Sequence, residues 1–87
     1  MVTVFIPPLL RDVTGGVDHV EIGATTVRQV VSALESRFPG IRDRLVVDDS
    51  LKPGLVVAVN GAISPVGLLQ KLPDGSEVHF LPAIGGG

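Results

Sequence analysis

Few side chains in this sequence could carry chemistry of their own. The chain has no cysteine, which excludes disulfides, thiolate nucleophiles, iron–sulfur clusters and cysteine-based zinc sites. Its two histidines, His19 and His79, stand far apart and make a weak case for a metal site. No nucleophile–base pair or cofactor motif can be assembled from the remaining residues. We therefore predict no catalytic residue, no metal ligand and no bound cofactor, and interpret the chain as a protein that is not itself an enzyme.

The end of the sequence, LPAIGGG, offers a different kind of chemistry. Gly85, Gly86 and Gly87 lack Cβ atoms, so an extended run of them can enter a narrow channel and lie against a partner's backbone. The group delivered in this way would be the carboxylate of Gly87. A disordered terminus is the commoner fate of glycine-rich ends. Composition alone favours the disordered terminus.

Length and charge limit the classes of function. Eighty-seven residues make one small domain, and a net charge of −2 with a pI near 5.5 disfavours binding to a phosphate backbone. Tryptophan and tyrosine are absent and phenylalanine occurs only three times, so platforms for stacking nucleobases are scarce. No segment has the roughly 18 apolar residues of a membrane span, and the start lacks a basic targeting region. We expect a cytoplasmic protein that binds neither nucleic acid nor membrane.

The hydrophobic content is high for so small a domain. Hydrophobic residues make up 45% of the chain and the mean hydropathy is +0.48, which disfavours disorder. Either a valine-rich sheet takes up these residues in the core, or some of them form a docking patch on the surface. The composition leaves both interpretations open.

Alternating and helical patterns predict the elements that would position these residues. Period-two alternation and β-rich composition predict strands at 2–6, 17–22, 55–59 and 77–81. An apolar stripe at helical spacing predicts a helix over 25–40, with Thr26 as N-cap, Gln29 completing a capping box and Pro39-Gly40 as the stop.

The connecting segments are less regular. Residues 41–46 suggest a short extra helix and 48–54 a mobile loop. Asn60-Gly61 and Asp74-Gly75 predict tight turns, and 62–72 reads as a short strand followed by a helical turn.

These elements predict a sheet with two different faces. The helix should cover the face carrying Val4, Ile6, Val20, Val57, Val59, Val78 and Phe80. Alternation places Phe5, His79 and Leu81 on the opposite face, beside the tail if the first and last strands are neighbours. These three residues are candidates for a partner-docking surface. The alternatives are a solvated histidine, which we favour for His79, and ordinary scattered apolar residues.

Several segments resemble the sulfur carrier proteins of the MoaD/ThiS family. The segments are IPPLLRDVTGG, TTVRQVVSALESRFPG, LKPGLVVAVNG and LPDGSEVHFLPAIGGG. The family's run of leucine, aspartate-glycine, acid-valine, proline and terminal diglycine corresponds to Leu72, Asp74-Gly75, Glu77-Val78, Pro82 and Gly86-Gly87. LLR and TGG near the start are most similar to the CysO type. Gly85 and Ser76 depart from residues common in the family.

The resemblance implies an α+β fold, the ubiquitin-like β-grasp. Its mixed sheet of four to five strands would have one main helix packed on one face. Residues 1–82 would form the β-grasp domain and 83–87 a flexible glycine tail.

The resemblance also implies the chemistry. An ATP-dependent enzyme of the ubiquitin-activating kind would adenylate Gly87, and a sulfur source would leave a thiocarboxylate there. Gly85 and Gly86 would thread a partner channel, and a synthase would accept the sulfur on a route to cysteine, a thiazole-like product, a thiosugar or molybdopterin. A metalloprotease that trims the tail is a further implied partner. A ubiquitin-like modifier conjugated through Gly87, or an interaction module without chemistry, remains open.

Overall fold

The computed structural model describes residues 1–83. Ten helices and strands follow one another along the chain: β1 (Val2–Phe5), α1 (Arg11–Thr14), β2 (His19–Ile22), α2 (Val27–Arg37), α3 (Ile41–Leu45), β3 (Val46–Val47), β4 (Ser50–Leu51), β5 (Leu55–Val59), β6 (Ala62–Ile63) and β7 (Glu77–Pro82). Single 3₁₀ turns lie at Pro8–Leu10 and Gly67–Leu69. Within residues 1–83, no helix is long and apolar enough to cross a membrane.

Five strands form one mixed sheet in the order β2-β1-β7-β5-β6. β1 pairs antiparallel with β2 and parallel with β7, while β5 pairs antiparallel with β7 and β6. The last strand in sequence is therefore the middle strand of the sheet. The predicted mixed sheet of four to five strands is confirmed, and β1 and β7 are neighbours, which was the condition for placing Phe5, His79 and Leu81 beside the tail.

One face of this sheet carries the core. The alternation in β1, β5 and β7 turns one set of side chains toward α2, where they pack against the apolar stripe of that helix. The buried side chains include Val2, Val4, Ile6, Val57, Val78 and Phe80 from the sheet side and Val27, Val30, Val31 and Leu34 from α2. Val20 and Val59, also expected on this face, are partly buried at its border. The predicted core is confirmed.

The start of α2 has the predicted N-cap at Thr26, but the Gln29 side chain accepts from a different amide than predicted. The Thr26 hydroxyl accepts a hydrogen bond from the Gln29 amide at 3.2 Å, as expected of an N-cap. In a capping box, Gln29 would accept from the Thr26 amide, but its side-chain oxygen accepts instead from the amide of Thr25 at 2.7 Å. The helix ends at Arg37, directly before the Phe38-Pro39-Gly40 stop.

The segment expected to be a loop at 48–54 contains strand β4 and the turn that joins it to β3. β3 and β4 form a short antiparallel hairpin whose turn residues, Asp48 and Asp49, have φ of 50° and 61°. Aspartate tolerates this left-handed conformation better than most residues, but the pair is a weaker hairpin signal than one containing glycine. Asn60-Gly61 adopts the same kind of turn, with φ of 51° and 86°, and that prediction is confirmed.

The connection after β1 contains a short helix, and β2 is shorter than predicted. Residues 11–14 form this helix, α1. β2 begins at His19 instead of Val17, because the Thr14 hydroxyl donates to the Val17 carbonyl at 2.8 Å and holds Val17 in the turn. Thr14 is buried, so this hydrogen bond is shielded from water.

Candidate functional site

The middle strand β7 extends past one of its two neighbours. Its pairing with β1 ends at the Phe5–His79 pair, whereas its pairing with β5 continues to the Leu55–Pro82 pair. The amide of Ala83, the first residue of the predicted tail, donates to the Gly54 carbonyl at 2.8 Å. The described chain therefore stays attached to β5 until Ala83. The predicted site residues Gly85, Gly86 and Gly87 lie outside the described residues.

Three rings lie side by side across β2, β1 and β7. The parallel register places Phe5 beside His79, and their rings stack with centroids 4.3 Å apart and planes 1° from parallel. The ring of His19 lies on the other side of Phe5 at 6.0 Å. His79 is partly exposed and lines a cleft, so its role as a solvated surface residue or as a partner contact stays a prediction. The structure brings Phe5 and His79 together, as the alternation predicted.

Leu81 extends this surface over β5 and β6. It is 38% exposed and pairs across the strands with Val56, while Ile63 on β6 is 63% exposed. Val56, Ile63, Leu81 and Pro82 line one shallow depression. We name Phe5, His79, Leu81, Val56 and Ile63 the outer face.

Sequence reasoning missed Val56 and Ile63. The alternation that points Val57 into the core also points Val56 outward, so the signal for Val56 was present in LVVAV. Ile63 lies in the segment whose pattern was ambiguous, and only its pairing with Ala58 places it beside β5.

A cleft lies where β1 ends and β7 continues. Its walls include Phe5, Pro8, Arg11, His79 and Pro82. Arg11, the first residue of α1, is exposed and lines this cleft. The cleft therefore borders the last described residues of β7.

Acidic Asp18 borders the same cleft and pairs with its neighbour in sequence. Its carboxylate lies 2.7 Å from Nδ1 of His19. This hydrogen bond lowers the pKa of Asp18 below its ordinary value. In residues 1–83, no group of three or more His, Asp or Glu side chains is placed to hold a metal ion.

The start of β7 is fixed by two polar side chains that sequence reasoning did not assign to the site. Ser76 is buried, and its hydroxyl donates to the Pro73 carbonyl at 2.6 Å. The Asn60 side-chain oxygen accepts from the Glu77 amide at 2.9 Å. The departure from the family pattern at Ser76 is therefore a satisfied buried hydroxyl that shapes the Asp74-Gly75 turn.

Comparison with known proteins identifies relatives over almost the whole chain. A sequence model of the ThiS family matches residues 4–87. The chain is 39% identical to the sulfur carrier protein CysO of Mycobacterium tuberculosis, with 99% of this chain and 98% of that protein covered. A chain in the crystal structure of the Amycolatopsis orientalis BexX/CysO complex is 40% identical, with a TM-score of 0.88 and complete coverage of both chains. Small archaeal modifier protein 3 of Haloferax volcanii is 34% identical over 71% of this chain and 70% of its own length.

These matches agree with the mixed sheet and the helix packed against it, which are the features of a ubiquitin-like β-grasp fold. Both the sequence match and the structural match extend to proteins named as CysO. The chain belongs to the ThiS/MoaD family of ubiquitin-like β-grasp proteins, small non-catalytic sulfur carriers, and it is similar to CysO.

Proposed function

We propose that the chain carries sulfur as a thiocarboxylate on Gly87 and donates it to a biosynthetic partner enzyme. The observation that carries this proposal is the match to the sulfur carrier CysO, which spans 99% of the chain. The geometry of β7 supports it, because the strand that leads to Gly87 is held in the middle of the sheet and leaves it beside an apolar surface.

The chemistry takes place on the carboxylate and needs no acid or base from this chain. A carboxylate oxygen of Gly87 attacks the α-phosphate of ATP in the activating enzyme, which forms an acyl-adenylate and releases pyrophosphate. A sulfide donor then attacks the acyl carbon, the bond to AMP breaks, and a thiocarboxylate remains. AMP is a far better leaving group than oxide, so the adenylate makes the substitution possible. The redox state of the acyl carbon does not change.

The length of the tail suits a buried partner site. Four residues follow Ala83, and an extended segment of four residues spans at most ~13 Å. Holding such a segment in one conformation costs about 1–2 kcal/mol per residue. Contacts of the outer face with the partner would offset this cost. Pro82 has a fixed φ and reduces the freedom of the chain directly before the tail.

Two kinds of partner follow from this chemistry. One is an ATP-dependent adenylating enzyme of the ubiquitin-activating kind, and the other is a synthase that accepts the sulfur. The complex of CysO with BexX in Amycolatopsis orientalis shows that a similar protein binds a second protein. In both complexes of this chain, we propose that Phe5, His79 and Leu81 contact the partner while Gly85, Gly86 and Gly87 enter its active site.

Intact-protein mass spectrometry tests the proposal. The chain is incubated with ATP, sulfide and an activating enzyme of the ThiS/MoaD family. We expect a mass gain equal to the replacement of one oxygen by sulfur, localised to Gly87 by fragmentation. A variant that lacks Gly86 and Gly87 is the matched control and should gain nothing. An unchanged mass, with an enzyme shown to activate another carrier, would contradict the proposal.

A second candidate function is that of a protein modifier. Its support is the similarity to small archaeal modifier protein 3, which covers 71% of this chain. Both functions use an activated Gly87 carboxylate, but a modifier ends in an amide to a lysine of its target. Conjugates that survive thiol treatment and contain an isopeptide bond to Gly87 would favour the modifier. A free thiocarboxylate consumed by a synthase would favour the carrier.

A further inference from the structure

A second groove adjoins the point where β7 ends. Its walls come from two segments that are distant in sequence, the 3₁₀ turn after β1 and the connection from β4 to β5. We name the basic groove by its principal lining residues, Pro8, Leu9, Arg44, Lys52, Leu55 and Pro82. Pro82 also borders the cleft beside Phe5, so the groove is continuous with the surface where the chain leaves the sheet.

The charge of the groove differs from that of the whole protein. The net charge of the chain is −2, yet two cations and no carboxylate line the groove. Arg44 has one acidic neighbour, Asp12, whose carboxylate lies 3.4 Å away and is mostly exposed. Within the part of the chain that the structure describes, Lys52 forms no ion pair, although it is half-buried. The Lys52 ammonium is therefore a positive charge available to a ligand.

The groove is held in shape by hydrogen bonds on both sides. The Arg44 guanidinium donates to the Leu9 carbonyl at 3.2 Å and ties the 3₁₀ turn to α3. On the other wall, the Lys52 amide donates to the Leu45 carbonyl at 2.9 Å, and the Leu55 amide donates to the Lys52 carbonyl at 3.0 Å. Because these walls are already fixed, a ligand would lose little free energy in ordering them.

The apolar part of the groove includes a highly exposed leucine side chain. Leu9 is 77% exposed, which is the largest exposed fraction among the large hydrophobic residues of 1–83. It stands beside Pro8 and across from Leu55. A ligand that contacts both Leu9 and Lys52 would therefore combine an apolar group with a negative charge.

We propose that the basic groove binds a segment of the activating enzyme in which an apolar side chain adjoins a carboxylate. The apolar side chain packs against Leu9 and Leu55, and the carboxylate pairs with Lys52. The inference rests on the proposed function, since the activating enzyme is the partner that it names. It adds a second contact to that of the outer face, on another side of Pro82, so that the enzyme would hold the end of β7 from two directions. Charge complementarity would orient the encounter and set its dependence on salt.

Equilibrium binding without chemistry tests this groove. The probe is an activating enzyme of the ThiS/MoaD family, titrated calorimetrically without ATP into the wild-type chain and into Lys52→Glu and Lys71→Glu. Lys71 is the chain's other lysine, is exposed and lies near the start of α2, so its reversal is a matched control for net charge. We expect Lys52→Glu to weaken binding about tenfold, because it replaces attraction by repulsion, and Lys71→Glu to leave it within about twofold. The conservative Lys52→Arg should bind as the wild type does.

Two further measurements keep the result interpretable. Leu9→Asp alters an exposed side chain, should fold normally and should also weaken binding. Raising the salt concentration should weaken binding of the wild type more than that of Lys52→Glu. Equal affinities for the wild type and Lys52→Glu, or no binding of the wild type, would overturn the groove as the enzyme's docking site. Thiocarboxylate formation, read by mass on the same wild-type chain, reports separately on the proposed function.

Discussion

The two faces of the sheet are built from the same strands but differ in burial. Along β7, Val78 and Phe80 point toward α2 and are at most 2% exposed, while Leu81 on the other face is 38% exposed. His79, between them, stacks on Phe5 instead of packing into the core. Burial on one face supplies the stability that lets the other face keep apolar side chains in water. Along β7, the buried residues Val78 and Phe80 therefore alternate with the partly exposed residues His79 and Leu81.

This contrast also accounts for the high hydropathy of the chain. A valine-rich core takes up much of it, as one interpretation of the composition held. Large apolar side chains are exposed as well, and Leu9, Ile63 and Leu69 are each more than 60% exposed. The apolar residues that raise the mean hydropathy are thus divided between the core and the surface. Whether the exposed part binds a partner is what the following experiments address.

The largest expected effect contrasts two adjacent residues of β7. Phe80→Ala should lower the free energy of unfolding by about 3–5 kcal/mol, because it leaves a cavity among fully buried side chains. His79→Ala should lower it by less than about 1 kcal/mol, since one side of the ring faces the cleft. Urea denaturation of both variants measures the difference. Similar losses would show that the outer face is also structural.

A smaller effect is expected for binding through the outer face. Phe5→Asp should weaken binding to the activating enzyme about tenfold, because a charge replaces the central ring of the row. The fold should survive, since Phe5 is only partly buried. Val47→Asp, at an exposed site on the β3–β4 hairpin, is a matched control that should bind normally. Unchanged affinity for Phe5→Asp would remove Phe5 from the docking surface.

The cap of α2 should affect stability alone. Thr26→Ala removes the acceptor for the Gln29 amide and should cost about 1 kcal/mol. Thermal unfolding measures this loss, and calorimetry should show partner binding within error of the wild type. A weakened complex at a temperature where the variant is fully folded would contradict the separation of the two faces.

The smallest effect concerns pH and lies on the helix side. Glu35 accepts hydrogen bonds from the amides of Arg42 and Gly40, which lower its pKa from the ordinary value of 4.5. A lowered pKa in the folded state means that this contribution is present above pH 4.5 and is lost as the pH falls through the folded pKa. Glu35→Gln should therefore flatten that part of the stability curve. Parallel curves for the wild type and Glu35→Gln would show that the contribution is absent.

The sequence was most informative where local rules and burial agreed. The stripe of α2 and the alternation of β5 and β7 have regular periods, and Asn60-Gly61 has the positive φ that its residues favour. The same alternation was enough to place Phe5 and His79 on one face. Their stacking needed the additional fact that β1 and β7 are parallel neighbours, which no local pattern encodes.

The sequence was least informative where a tertiary contact decides the local structure. Asp48-Asp49 gives only a weak turn signal, so the β3–β4 hairpin was missed. Val17 belongs to a strand-like pattern, but a hydrogen bond from Thr14 holds it in a turn. The basic groove joins Leu9 to Lys52, which are far apart in sequence, through Arg44 and Leu45. Such contacts depend on packing, so sequence periodicity cannot reveal them.

The position of β7 also determines when the protein can complete its fold during synthesis. Until β7 emerges from the ribosome, the β1–β2 hairpin and the β5–β6 hairpin have no strand to join them. Contacts between residues so distant in sequence form slowly, because a long loop must close first. A chain truncated before Glu77 would lack the middle of its sheet and expose the core face. Proteolysis would then remove such chains, so that only molecules complete through β7 would persist.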